Sequence, residues 1–306
     1  MRAAAYHCSA HMDEADLEAT RPDCPICGSR NRRSVLPLQE SPDVALMHCL
    51  DCEATSASRM PRPDVLDRYY AGYYDNGEEG VTFDRPTRFA RHVYRHGGPH
   101  LGALEGRALR MVDFGGGDGT HSALIARELL AHGASSVRIE LVDHSPSTAD
   151  PGDARIQFER VADVERIAPG MADIVLASAV LEHIPEPRPV LLHLLSAMKP
   201  GGIFYARTPH VVPLMKLART LGTSLDFTYP GHVHDMGARF WDGALDRLGM
   251  AHDYRILRSA PSIVETTIDR HFARTVLAYA LKWPGRLFPH HYGLVGGWEV
   301  FLRREH

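Results

Sequence analysis

Four cysteines stand in two pairs, Cys24-Pro-Ile-Cys27 and Cys49-Leu-Asp-Cys52, with 21 residues between the pairs. Two Cys-x-x-Cys knuckles at that separation offer four soft thiolates, a donor set that suits tetrahedral zinc. Gly28 follows the first knuckle, as a tight turn around a thiolate favours. Four thiolates close such a site, so the ion would hold the fold and leave no position open for a reactant. A redox dithiol is the alternative. It calls for a Cys-x-x-Cys beside a βαβ pattern, which is absent here. The fifth cysteine, Cys8, reads as a free surface thiol.

The second candidate is a glycine loop, Asp113-Phe-Gly115-Gly-Gly117-Asp-Gly119, at the end of an apolar run over 109–114. Glycines placed there let backbone come close to a ligand. The dinucleotide pattern GxGxxG fails, because its third glycine would fall on Thr120 or Ser122. A Walker loop would end in GK[ST], and this loop does not. An acid directly before the glycines would repel a pyrophosphate. It suits a ligand with a positive group or with hydroxyls to bond.

These groups need elements to position them. Residues 1–20 read as a weakly ordered leader. Residues 21–60 hold the four cysteines but few large apolar residues, too few for a core of their own. Residues 61–105 read as broken helices forming a connector or lid. From 106 to 306, apolar runs such as LRMVDF, VRIELVD and ADIVLASAV alternate with helical segments such as SALIARELLAHG. That alternation predicts a doubly wound, mostly parallel α/β sheet with a small zinc ribbon before it. FWDGALDRLGM reads as one more helix. The stretches 208–236 and 261–293 read as irregular, and within the second Ile268, Phe272, Val276 and Tyr279 recur at helical spacing, as a core stripe would.

The chain has 306 residues, 44% hydrophobic, with a formal net charge of −4. That balance argues against a global attraction to nucleic acid or to an anionic membrane. No apolar run approaches the roughly 18 residues of a membrane span, and the start lacks a secretory signal. A cytoplasmic protein is expected, with its thiols kept reduced.

VDFGGGDGT resembles the first motif of class I S-adenosylmethionine (SAM) dependent methyltransferases. The resemblance covers most of 107–306 and implies a Rossmann-like fold with SAM across the strand ends. It implies that Asp113, Gly115, Gly117 and Gly119 pack against the amino acid part of SAM, whose sulfonium is cationic. In ELVDHS, Asp143, with His144 beside it, would bond the ribose hydroxyls. In ERVADVERI, Asp163 would face the adenine amino group and Val164 would pack on its ring. In ADIVLASAVLEHIPEP, Ser178 and Ala179 would pass near the methionine part. MKPGGIFYARTP and GGWEVFLRR resemble the fifth and last strands. Gly116 departs from relatives that carry Cys or another residue there, a change expected to be harmless. The residue-level alternatives are a helix cap for Asp113 and plain turn residues for Asp143 and Asp163.

Methyl transfer needs alignment and a dry pocket, and an acceptor hydroxyl or carbon acid needs a base. Of 19 histidines, three are placed for it: His183 in LEHIPEP, and His232 and His234 in FTYPGHVHD, where alternation would set both on one face. The order of knuckles, Tyr-rich helix, SAM motifs and HxH resembles zinc-ribbon methyltransferases of bacterial sugar and natural-product tailoring. Some of their sugar C-methyltransferases carry a Tyr-x-x-His element with a basic His, matched here by Tyr229 and His232. This sequence lacks their long C-terminal domain, so O- or N-methylation of a small molecule is expected as well as C-methylation. Tyr69, Tyr70, Tyr73 and Tyr74, with the 268–279 stripe, could wall the acceptor pocket. Two rivals stand. An RNA methyltransferase would hold RNA on the ribbon, but residues 21–60 offer arginines without a Phe, Tyr or Trp for stacking. A non-catalytic SAM-binding protein would bind cofactor without turnover.

Overall fold

The computed structural model describes residues 9–75, 83–288 and 291–306, with side chains of 71–75 left aside. Cys8 and the side chains of Tyr73 and Tyr74 lie outside the described residues. In chain order the elements are β1 (Arg32–Gln39), β2 (Val44–Cys49), β3 (Thr55–Ala57), α1 (Pro63–Asp75), α2 (Pro86–Gly97), β4 (Ala108–Phe114), α3 (Thr120–Ala131), β5 (Ser136–Val142), β6 (Ile156–Arg160), β7 (Ala172–Ser178), α4 (Pro187–Ala197), β8 (Met198–His210), α5 (Val212–Thr220), β9 (His234–Asp235), α6 (Ala238–Asp242), α7 (Ala244–Leu248), β10 (Tyr254–Pro261), α8 (Phe272–Leu287) and β11 (Gly296–Arg304).

Seven strands make one sheet in the order β10-β11-β8-β7-β4-β5-β6. The pairs among β6, β5, β4, β7 and β8 are parallel, and β11 runs antiparallel between β8 and β10. This is the class I methyltransferase arrangement. Side chains alternate across the central strands, so each strand feeds two cores. Met111, Ile174, Leu176 and Tyr205 face α2 and α3 with Phe89, Val93, Ile125 and Leu129. Val112, Val175, Ala177 and Phe204 face the other way, onto α4 and α6 with Leu191, Leu194 and Trp241. The expected single helix over FWDGALDRLGM is two short ones, broken at Gly243.

The N-terminal module forms a second sheet, β1-β2-β3-β9, whose fourth strand comes from far along the chain. Ser56 pairs with His234 and Thr55 with Asp235. Cys24, Cys49 and Cys52 share the core of Leu191 and Trp241, while Leu36, Val44 and Leu46 pack with Met215, Phe227 and Tyr229. A module too poor in apolar residues for its own core thus uses its neighbour's.

Three expectations need correction. Residues 9–20 are pinned, since Met12 and Leu17 are buried and Arg59 grips Glu14 at 2.7 Å. The stretches 208–236 and 261–293 contain α5 and α8. And Ile268, Phe272, Val276 and Tyr279 are exposed, not core. Periodicity detects an apolar stripe but not whether anything covers it.

Candidate functional site

Gly115, Gly117 and Gly119 adopt φ of 72°, 62° and 84°, a region open to glycine at little cost. A Cβ on Gly115 would strike Val180, and one on Gly119 would strike Phe158. One on Gly117 would meet no protein atom within 4 Å. Two N–H groups of the loop are already engaged by carboxylates of the protein. Asp118 accepts from the Thr120 N–H at 2.9 Å at the start of α3, and Asp143 accepts from the Gly117 N–H at 2.7 Å. The loop is therefore built against carboxylates, not phosphates.

Asp113 is no helix cap. Its carboxylate is buried directly under Gly116, so that a Cβ on that residue would collide with it. Among the described residues its Oδ2 has no hydrogen-bond partner. Burial, with Asp143 and Asp118 nearby, pushes the carboxyl up to about 7. A buried acid with an unused oxygen is a fit for a cationic ligand group such as the SAM ammonium. Asp143 directly follows β5, is half-buried and also accepts from the Ser145 N–H at 2.7 Å. Exposed His144 lies 6.4 Å from Tyr70, ring centre to ring centre, nearly parallel. Asp163 is exposed at the head of a single 3-10 turn, and Val164 is buried behind it. Ser178 ends β7, and Ala179 follows at φ 58°, donating its N–H to Arg207 O at 2.8 Å. A left-handed alanine at this point is local strain where the sheet opens.

Beyond it, Glu182 and His183 sit in the turn Leu181–His183. The rings of His183 and His232 are 4.7 Å apart, and Tyr70 meets His183 edge-on at 6.1 Å. One donor atom from each of Glu182, His183 and His232 lies within 4.8 Å of the others, close enough to share a cation or a proton. Burial pushes Glu182 up to about 8 and His183 down to about 3, so both are neutral near pH 7. Glu182 Oε2 and His183 Nδ1 lack partners among the described residues. Arg207, buried at the end of β8, pairs with Glu265 and lies 4.8 Å from the Phe83 ring.

His234 and Tyr229 do not join this group. His234 is fully buried, with Nδ1 at 2.8 Å from Ser56 Oγ and Nε2 at 2.8 Å from Ile184 O. Tyr229 is buried and donates its hydroxyl to Arg59 O at 3.1 Å. Both are engaged in structure, which corrects the expectation of a catalytic part. Residues 229–231 form a turn, His232 N–H donates to Thr228 O at 2.9 Å, and His234 opens the two-residue strand β9. Glu182, Arg207 and Phe83 were not singled out from sequence. Only Glu182 carried a signal, as the acid inside LEHI.

The cysteines converge. Cys24 Sγ lies 3.6 Å from Cys52 Sγ, Cys27 Sγ lies 3.6 Å from Cys49 Sγ, and all four are within 4.8 Å of one another. A tetrahedral ion with bonds of about 2.3 Å would set its sulfurs about 3.8 Å apart, so the residues fit zinc. Both knuckles use one turn: Gly28 N–H donates to Cys24 O and Glu53 N–H to Cys49 O, with φ of 76° and 62°.

A family described as "Methyltransferase domain" matches residues 87–253, more than half of the chain. The chain belongs to that family. Curated relatives of this methyltransferase domain include the ubiquinone biosynthesis O-methyltransferase of Paramagnetospirillum magneticum, 32% identical over 134 residues, which are 40% of this chain and 51% of that protein. The protein of the same name from Leptothrix cholodnii is 28% identical over 130 residues, 40% of this chain and 52% of its own. The chain spans about half the length of the curated relatives it matches. Among solved structures, a SAM-dependent methyltransferase of Mesorhizobium loti aligns at TM-score 0.44 and 23% identity, covering 69% of this chain and 97% of its own. The 1,6-didemethyltoxoflavin-N1-methyltransferase of Burkholderia thailandensis aligns at 0.49 and 15%, covering 89% and 100%. At such scores the fold assignment rests on the strand order and the family match. Among the described residues no helix is long and apolar enough to cross a membrane.

Proposed function

We propose that this methyltransferase domain moves a methyl group from SAM to a small molecule, in a cytoplasm that keeps its four thiolates reduced. The observation that carries the reading is the buried, half-unpartnered Asp113 beneath a glycine loop already supplied with carboxylates. The curated relatives' names favour an oxygen acceptor. A sugar or secondary-metabolite hydroxyl suits the resemblance seen in the sequence.

Bound SAM would supply an electrophilic methyl on a sulfonium. Asp113 would meet its ammonium, Gly115, Gly117 and Gly119 would admit its backbone-hugging end, and Ser178 would flank the methionine part. Asp143, with His144 beside it, would take the ribose, and Asp163 with Val164 the adenine. His232 would accept the acceptor proton, with His183 as its neutral neighbour. Tyr70, in ring contact with both His144 and His183, would shield this gap from water. Zinc on Cys24, Cys27, Cys49 and Cys52 would be structural only.

Calorimetry with SAM, NADH and Asp143→Ala tests the cofactor, and a methyl-transfer screen tests the acceptor. Micromolar SAM binding lost in the variant supports the reading. NADH binding, or SAM binding without turnover on any acceptor, would replace it with a reductase or a non-catalytic SAM binder. Salt-dependent RNA binding would revive the RNA reading.

A further inference from the structure

The outer face of α8 is apolar, and its edges are cationic. The helix grips the body through one side: Thr275 Oγ1 donates to Thr266 Oγ1, Lys282 Nζ donates to Ser262 O, both at 2.8 Å, and Gly285 sits tight against Val295 and Pro261. On the opposite side Phe272, Val276, Trp283 and Leu287 form one stripe by helical spacing, with Leu277 beside it and Phe288 just beyond. All are exposed, Phe272 by 67%, Trp283 by 62% and Phe288 by 60%. Arg286 is exposed at one margin of that stripe, Arg274 is exposed further round the helix beyond Leu277, and Arg270 precedes the helix, 4.0 Å from Asp84. From Arg270 to Trp298 the sequence contains no Asp or Glu. A chain with net charge −4 thus carries a face of the opposite sign.

We propose that α8 docks this protein on an anionic lipid bilayer, lying in the plane of the interface. A helix with Trp, Phe and Leu outward and arginines at the waterline has the composition of an interfacial helix. Its 16 residues fall short of a span. Charge decides between a bilayer and a second copy of the chain. Two such faces paired on each other would bring their arginines together with no acid on either helix to neutralise them. Lipid phosphates supply that counter-charge.

The test uses the full-length protein with vesicles of phosphatidylcholine and phosphatidylglycerol, and with phosphatidylcholine alone. The protein should co-sediment with the first and much less with the second, and binding should fall steeply with salt. Trp241 and Trp298 are buried, so a blue shift of tryptophan emission on binding reports Trp283. Phe272→Ser with Trp283→Ser, and separately Arg274→Glu with Arg286→Glu, should each weaken vesicle binding by more than about tenfold. These side chains are exposed, so the melting temperature of each variant serves as the folding control. Absence of vesicle binding, equal binding to neutral vesicles, or full binding by either variant would overturn the proposal. So would a dimer in sedimentation equilibrium that Phe272→Ser with Trp283→Ser dissolves.

Discussion

Asp113 shows how one buried group ties cofactor chemistry to stability. Folding raises its carboxyl to about 7, so the neutral acid favours the folded state below its unfolded value of 3.8. That contribution is lost as pH climbs through about 7. A cation delivered to Oδ2 reverses the preference. SAM binding near pH 6 should therefore release close to about one proton, read by calorimetry in buffers of different ionisation enthalpy. Asp113→Asn should abolish the release; a variant that still releases it would remove Asp113 from the cofactor site. The two neighbouring histidines should separate cleanly. His234→Ala strands Ser56 Oγ and should cost about 1–3 kcal/mol of stability. Burial holds His234 near about 4, so its contribution is present above about 6.5 and lost as pH falls toward 4. The variant should accordingly flatten the acid limb of stability. His232→Ala, at a half-buried position, should leave the melting temperature nearly unchanged and lower turnover at saturating SAM and acceptor by about 100-fold or more. Unchanged turnover would dismiss His232 as the base. The type and order of these residues were legible in the sequence, but their environments were not. Glu182 is neutral because the 3-10 turn that carries it is buried under Val233 and the end of β8, segments remote in the chain.

At the scale of elements, the glycine loop makes a differential prediction. Gly115→Ala combines a positive φ with a collision at Val180 and should cost about 1–3 kcal/mol of stability. Gly117→Ala has open space around its new methyl. It should cost about 1 kcal/mol in stability yet weaken SAM binding by about tenfold or more, because bound SAM would occupy that space. A Gly117→Ala protein with unchanged SAM affinity would put the cofactor elsewhere. Alternating apolar runs announced β4 to β8, since buried parallel strands read as near-continuous apolar sequence. Strand β9 has two residues and no period to read; only its partner β3 makes it a strand. The 268–279 stripe was visible as a period, while its exposure depends on which face α8 turns to the sheet.

Across the whole molecule, the N-terminal cysteine module and the methyltransferase domain share two cores, one of which contains Cys24, Cys49 and Cys52. Loss of the metal should therefore not melt a small module in isolation. Cys52→Ser, or treatment with a strong chelator, should lower the single melting transition of the entire chain, by several degrees or more. Two separate transitions in calorimetry would contradict the shared core. Metal analysis should give one zinc per chain, lost with Cys52→Ser.

The strand β9 lies two residues past His232, and its hydrogen-bonding edge is completed by β3 of the ribbon. Residues 21–60 are consequently no portable cassette. A graft of another ribbon onto residues 61–306 would have to reproduce the β3 edge as well as the four thiolates, or the histidine loop would lose the frame that aims it. A change at the β3 edge should therefore shift residues 232–235 while leaving the Asp113–Gly119 loop in place, nearer to a hinge adjustment than to a change of the sheet.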